Sequence, residues 1–254
     1  MKFDNAKVEI EDGGVALVTL NRPDVLNAMS RALVLDLSNA LESVGRDARA
    51  RVVVLTGAGD KAFTAGGDIH EMANSTSEQA FEFQQLVTEC CWSLANYRLP
   101  TIGALNGLAY GGGALLSAAL DIRIGCERTR FRFLGAQYGR LNSTWSLPLI
   151  VGWPQARELI FSARVVEAEE ALRIGLLNHL VPATELPAAA MGLARQIANN
   201  PPDMVQGAKK LLNGYIGDSW LQMFEAERDA VRTRLQPGPV AESFADFLGR
   251  KGTK

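Results

Sequence analysis

The sequence predicts an α/β fold, and three observations carry that prediction. Twice a run of buried, strand-forming residues empties into a glycine-rich stretch that opens a helix. Arg51-Val52-Val53-Val54-Leu55-Thr56 leads into Gly57 to Met72, and Thr101-Ile102-Gly103-Ala104-Leu105 leads into Asn106 to Gly113. Long stretches of helical periodicity stand between the strand runs. From Leu186 onward the strand patterns cease and helices dominate. With 254 residues, 47% apolar and 21% charged, the chain can bury one large core, or one core plus a small appended element. The division that follows is a core over 1–190 and a helical C-terminal region over 191–254, read as an oligomerisation or lid element.

Taken in order, Val8 to Ile10 and Val15 to Leu20 are short β-rich runs separated by Asp12-Gly13-Gly14, a hairpin signal. Asn21-Arg22-Pro23-Asp24 breaks the second strand. Ser30 is a suitable N-cap, and Leu33, Val34, Leu37, Ala40, Leu41 and Val44 follow at helical spacing, with Gly45 expected to end the helix. The β-branched run at 51–56 reads as a strand covered on both faces. Glu78 to Asn96 is a long helical pattern that leads to the strand at Thr101. Asn106 to Gly113 reads as a turn, and Ala114 to Leu120 as the first turns of an apolar helix. Ile122 to Cys126 and Arg130 to Phe133 alternate like strands. Glu158 to Phe161 and Ala168 to Gly175 read as helices, and Leu180-Val181-Pro182 as a closing strand. Pro201-Pro202 and Pro237-Gly238-Pro239 break the helical tail.

Composition excludes several classes of function. Net charge is −2, and without a basic tract or a basic and aromatic stripe a nucleic-acid partner is not expected. The first residues hold no apolar run of signal-peptide length, and no segment reaches about 18 uncharged apolar residues, so a soluble cytoplasmic protein without a membrane partner is expected. Cys90, Cys91 and Cys126 lack C-x-x-C spacing and read as buried free thiols. His70 and His179 lack H-x-x-x-H spacing, which argues against a metal site. No G-x-S-x-G marks a serine nucleophile, and the glycine stretches match neither a P-loop nor a dinucleotide fingerprint.

The two glycine stretches suggest chemistry of their own. Each ends a buried strand, each opens a helix, and each leaves backbone N–H groups without intrahelical partners. Gly111, Gly112 and Gly113 remove side chains, so a ligand can reach hydrogen-bonding distance of the main chain. Two such devices can aim two N–H groups at one oxygen. One donor of such a pair is worth about 2.7–4 kcal/mol when the charge develops only in the transition state.

Asn21-Arg22-Pro23 with Asn27-Ala28-Met29, KAFTAGGDIHEM from Lys61 to Met72 and IGALNGLAYGGG from Ile102 to Gly113 continue with Asp121-Ile122-Arg123-Ile124, Arg130-Phe131-Arg132-Phe133 and AEEALRIGLLNHLVP from Ala168 to Pro182. In this order and spacing, over nearly the whole chain, they resemble the crotonase superfamily, the enoyl-CoA hydratase and isomerase group of fatty acid metabolism. The resemblance implies an α/β, crotonase-like spiral of ββα units with a C-terminal helical region, assembled as a homotrimer or a dimer of trimers. It implies an acyl-CoA thioester as partner, with coenzyme A part of the substrate and no separate cofactor. The thioester oxygen would lie between the N–H groups of Gly67 and Gly112, an oxyanion hole. Ala65, Asp68, Ile69 and His70 would wall the acyl group, and the segment from Arg22 to Leu26 would lie near the CoA.

The pattern is departed from at the proton carriers. Hydratases of the group resemble one another in two glutamates, whose positions here hold Leu115 and Gly135. Other branches place Asp or Tyr where Asn142 and Ser143 stand, and the loop between Arg140 and Leu147 reads about three residues short of the family's. An apolar, small-lined cavity is therefore expected in place of the acid/base chamber, with room for a longer or bulkier acyl group. Losing a positioned acid or base forfeits about 10²–10⁴ in rate for each role. Candidate replacements are Tyr138, His70, Glu71, Asn142, Ser143 and Thr144, each read alternatively as an exposed or hydrogen-bonded polar residue, with Asp68 fixing its loop. The expected function is an enoyl-CoA hydratase/isomerase-like lyase or isomerase that works through an atypical group. The alternatives are an acyl-CoA binding protein without turnover, and a thioester hydrolase or decarboxylase of the same fold.

Overall fold

The computed structural model describes residues 3–218 and four further positions, Gln222, Glu225, Asp229 and Thr233. The break expected at Pro237-Gly238-Pro239 lies outside the described residues. Strands β1 (Ala6–Ile10) and β2 (Val15–Leu20) pair antiparallel across the Asp12-Gly13-Gly14 turn, with Val8 opposite Val18. A 3-10 turn at Pro23–Val25 follows, then α1 (Arg31–Arg46), capped by the Ser30 side chain accepting from Leu33 N–H, and all six apolar residues at helical spacing are buried. The helix runs past Gly45, contrary to expectation. Glycine there supplies space rather than an end, because a Cβ would stand 3.0 Å from the Tyr97 hydroxyl, which donates to Leu41 O.

The next elements alternate between two sheets. They are β3 (Val52–Gly57), β4 (Ala62–Thr64), α2 (Ile69–Ala73) and α3 (Ser77–Ala95), then β5 (Thr101–Leu105), β6 (Leu108–Tyr110), α4 (Gly112–Ala118), β7 (Ile122–Gly125) and β8 (Arg130–Arg132). After a 3-10 turn at Ala136–Tyr138 come α5 (Leu147–Val151), α6 (Trp153–Ser162), β9 (Val166–Glu167), α7 (Ala168–Arg173), β10 (His179–Leu180), α8 (Leu186–Ala198) and α9 (Pro202–Gly214). The larger sheet has the order β1-β2-β3-β5-β7-β10, parallel from β2 onward, and the smaller has the order β4-β6-β8-β9. Each of the pairs β3/β4, β5/β6 and β7/β8 therefore sends its first strand to one sheet and its second to the other.

That alternation corrects the reading of a strand emptying into a plain glycine turn. Ala62-Phe63-Thr64 and Leu108-Ala109-Tyr110 are three-residue strands, too short to show a period of two, and they pair with each other in the small sheet, where β6 also pairs with β8. The α4 helix also stops at Ala118 rather than Leu120. Its end is held by the buried Arg123 guanidinium, which donates to Leu120 O at 2.6 Å and to Leu176 O at 2.8 Å. Burial lowers the Arg123 pKa to about 10, which leaves it charged at neutral pH. The final strand begins one residue before the expected Leu180.

The parallel strands are covered on both faces, as their continuous apolar runs require. Val53 and Leu55 face the core shared with α1, α3 and α4, while Val52 and Val54 face Leu186, Ala190, Ala194 and Ala198 of α8. The chain divides into two compact units, Met1–Asn200 and Pro201–Lys254. The α8 helix, which the expected boundary at 190 cuts, belongs to the first, and α9 to the second. Among the described residues no helix is long and apolar enough to cross a membrane.

One buried side chain ties the strap between β2 and α1 to the sheets. Asn27, in the left-handed region at φ 53°, accepts from Arg22 N–H and donates to Ala58 O and Ala62 O, both at 2.9 Å. Asn27→Ala leaves these groups unpaired in the interior and is expected to cost about 2–4 kcal/mol of unfolding free energy in urea titrations. A loss below about 0.5 kcal/mol would show that the strap does not depend on it.

Candidate functional site

The site begins as a contact between main chains. A Cβ on Gly107 would stand 2.1 Å from Lys61 O, one on Gly113 2.4 Å from Thr64 O, and one on Gly66 2.5 Å from Tyr110 O. No side chain fits at these places, so the 57–67 and 107–113 segments lie backbone against backbone. Gly66 and Gly111 also take positive φ, 92° and 51°, where glycine alone is unstrained. The contact sets Gly67 beside Gly112, and a Cβ built on Gly112 would be 3.8 Å from Gly67 N. Both residues are half-buried. Among the described residues neither Gly67 N–H nor Gly112 N–H donates to an intramolecular acceptor.

The strap from Arg22 to Ser30 supports this pair from beneath. Ala65 N–H donates to Leu26 O, Met29 N–H to Gly66 O and Asp68 N–H to Met29 O, so the strap runs as an extra strand along residues 65–68. The Met29 methyl would lie 3.3 Å from a Gly112 Cβ, and Met72 and Phe83 back Gly67 in the same way. Arg22 donates through Nη1 to Ala28 O at 2.6 Å and to Asp68 at 2.9 Å. Burial raises the Asp68 carboxyl, but the Arg22 hydrogen bond and the Glu71 N–H outweigh it and hold the group below the usual carboxylate range. Asp68 also caps α2. Beside the strap opens a cleft of about 370 Å³ lined by Pro23, Asp24, Leu26, Gly59, Asp60 and Lys61.

The remaining expected site residues separate into three groups. Leu115, on α4, is buried in the core. Ile69 is 75% exposed and Tyr138 64%, and His70 is exposed on α2, so these three lie at the surface. Glu71 accepts from Arg31 N–H at the start of α1. Gly135, Asn142 and Ser143 form one small knot. Gly135 O accepts from Tyr138 N–H and Arg140 N–H, and a Gly135 Cβ would stand 3.0 Å from both Arg140 O and Asn142 Oδ1. The space at Gly135 is thus filled by Asn142 rather than left as a cavity, so a glutamate there requires the loop to move. Ser143 is buried at φ 62°, a conformation that costs a serine about 1–2 kcal/mol. Thr144 is exposed.

Sequence reasoning did not assign Met29, Met72, Phe83 or the Arg140–Gln84 hydrogen bond. Their contacts join segments far apart in the chain, and no local pattern announces them. Asn27 was legible only as part of Asn27-Ala28-Met29. Chemically, two unpaired N–H donors side by side suit a carbonyl oxygen that gains negative charge.

Known proteins place this architecture. A family model described as enoyl-CoA hydratase/isomerase matches residues 10–253. The short-chain-enoyl-CoA hydratase of Clostridium acetobutylicum is 36% identical over 217 residues, 84% of this chain and 82% of that one. The crotonyl-CoA hydratase of Syntrophomonas wolfei is 33% identical over 255 residues, 99% and 97% of the two chains. The crystal structure of an enoyl-CoA hydratase from Bacillus anthracis superposes with a TM-score of 0.92 at 32% identity, covering 97% of both chains. The chain belongs to the enoyl-CoA hydratase/isomerase family and has the crotonase fold.

Because its carboxyl pKa is lowered on folding, Asp68 contributes stability that is present above about pH 4 and is lost as pH falls through the folded-state value. Asp68→Asn is expected to lower stability at pH 6 and to converge on wild type toward pH 2.5 in urea titrations. Parallel pH profiles for the two proteins would show that the Arg22 pairing adds nothing.

Proposed function

We propose that the chain is an acyl-CoA thioester-processing enzyme of the enoyl-CoA hydratase/isomerase type, with Gly67 N–H and Gly112 N–H as its oxyanion hole. The observation that carries this reading is the pair of unpaired, half-buried N–H groups on two glycines whose backbones are in contact. The names of the relatives, hydratases of short-chain enoyl-CoA and crotonyl-CoA, support the substrate class. A thioester oxygen between two fixed donors gains charge as its α-carbon loses a proton or its β-carbon is attacked. The donors strengthen in that transition state by about 2.7–4 kcal/mol each. The cleft beside Pro23, Leu26 and Lys61 takes the CoA portion, while Arg22 acts through Asp68 to hold the strap. Coenzyme A enters as part of the substrate, and no separate cofactor is required.

Proton transfer falls to a group other than the family's two glutamates, because Leu115 and Gly135 carry no proton. Asp68, kept ionised by Arg22, is too weak a base to replace them. The same two positions favour a second reading, an acyl-CoA binding protein without turnover. The protein works in the cytoplasm in fatty acid metabolism, as a homotrimer or a dimer of trimers to which the 191–254 region contributes. Sedimentation equilibrium is expected to give three or six times the chain mass, and a monomer would overturn that part.

Calorimetry with a panel of acyl-CoA thioesters, followed by mass spectrometry of each mixture, tests the reading. Tight binding with a changed thioester is the expected result. Binding with every thioester intact selects the second reading, and no binding overturns both. Gly112→Ala places a methyl 3.8 Å from Gly67 N, beside the paired donors, with the flexible Met29 tip at 3.3 Å to yield. It is expected to lower turnover by about 10²–10³ while the melting curve stays in place. Unchanged turnover would put the oxygen elsewhere.

A further inference from the structure

We infer that Arg123 is a positioning residue for the Gly112 donor: its buried guanidinium, bonded to carbonyls at the far end of α4, sets the direction in which that helix presents Gly112 N–H. The inference rests on the two-donor reading above. Four observations carry it.

First, the near end of α4 has no directed side-chain bond, because its capping residue is Gly111. A Cβ on Gly113 would stand 2.4 Å from Thr64 O, a contact that limits how near the helix comes and not which way it points. Second, the far end has such bonds. Arg123 Nη1 donates to Leu120 O at 2.6 Å and to Ser117 O at 3.4 Å. Third, Arg123 is itself held from outside the helix. Its Nε donates to Leu176 O, its N–H donates to Asn178 Oδ1, and Asn178 N–H donates to Arg123 O, each at 2.8 Å. Strand β7, which carries it, lies between β5 and β10 in the larger sheet, so α4 is referred to that sheet. Fourth, the group is unusual for its place. Arg123 is 4% exposed, and among the described residues its guanidinium hydrogen bonds end on main-chain carbonyls, while nearby Asp121 accepts from Thr101 N–H and hydroxyl.

An apolar side chain of similar volume often stabilises such a space as well as a buried charge does. What the guanidinium adds is direction, since its rigid fork of N–H donors fixes carbonyls that apolar contact leaves free to turn. The seven residues of α4 span about 10 Å, and every residue after Gly112 is buried. A shift at Ser117 therefore reaches Gly112. Two donors that converge on one oxygen lose much of their effect when one is displaced by about 1 Å.

The test reads the donors without requiring turnover. Acetoacetyl-CoA, bound to the protein, is titrated with pH while the near-ultraviolet absorbance of its enolate is followed. On ionisation the C2 proton passes to water and negative charge spreads onto the thioester oxygen. Wild type is expected to lower the apparent enolate pKa by about one unit or more relative to the free thioester. Arg123→Met is expected to raise the bound value by about 0.5–1 unit, a threefold to tenfold loss of enolate, with butyryl-CoA affinity in calorimetry within about twofold of wild type. Arg123→Lys keeps the charge and loses the fork, so it is expected to move the value in the same direction by less. Tyr97→Phe, which removes the bond to Leu41 O far from α4, is expected to lower the melting temperature and leave the enolate pKa in place. An unchanged value in Arg123→Met overturns the proposal, and Arg123→Lys decides in the same way if Arg123→Met does not fold. A rise that Tyr97→Phe shares, or that comes with equally weakened butyryl-CoA, shows general loosening and also overturns it. Wild type that does not bind acetoacetyl-CoA, or binds it without lowering the enolate pKa, overturns the two-donor reading instead.

Discussion

The structure depends on one close approach, the laying of the 107–113 main chain against that of residues 57–67. The nearest atom a Cβ would strike at Gly66, Gly107 and Gly113 is in each case a backbone carbonyl oxygen of the opposite segment, at 2.5, 2.1 and 2.4 Å. Backbones this close bury peptide groups that must find partners, and two asparagines supply them. Asn27 bonds Ala58 and Ala62, and Asn106 donates to Gly57 O and Gly59 O while accepting from Gly57 N–H. The crossing is thus stitched by side chains that mimic main-chain groups, and the two sheets meet along it.

Several features of the fold follow from that crossing. Strands β4 and β6 are parallel neighbours because the segments bearing them are already held side by side. The α4 helix begins where the crossing ends, and Arg123 holds its far end by donating to carbonyls. The direction of the Gly112 N–H is therefore set by packing at both ends of a seven-residue helix. A donor made of backbone and held this way does not depend on the side chains around it.

This separation bears on how the family's chemistry can change. Positions 115 and 135 lie outside the crossing, and Leu115 packs into the core while Gly135 makes room for Asn142. A chain can exchange residues there and keep both N–H groups where they are. The 134–146 loop in turn takes its position from α3, through Gln84 and Trp92, and not from the glycine turns alone.

Elements whose signals act within a turn of helix or along one strand are legible in the residues alone. Ser30 and its six apolar followers define α1, the Val52 to Leu55 run defines a strand covered on both faces, and Asp12-Gly13-Gly14 defines the hairpin. The residues also mark both glycine stretches as places where main chain must be reached, and the family resemblance spans nearly the whole chain. Tertiary structure decided the rest. Whether Gly45 ends a helix or admits a tyrosine depends on Tyr97, far along the chain. Three-residue strands become strands only when a neighbour supplies the ladder. Arg22 finds Asp68, and Asn142 fills Gly135, only after the sheets are stacked. The physical reason is range: caps, periods and turns are read over a few residues, whereas the partner that satisfies a buried donor is chosen by packing between segments that local patterns do not connect.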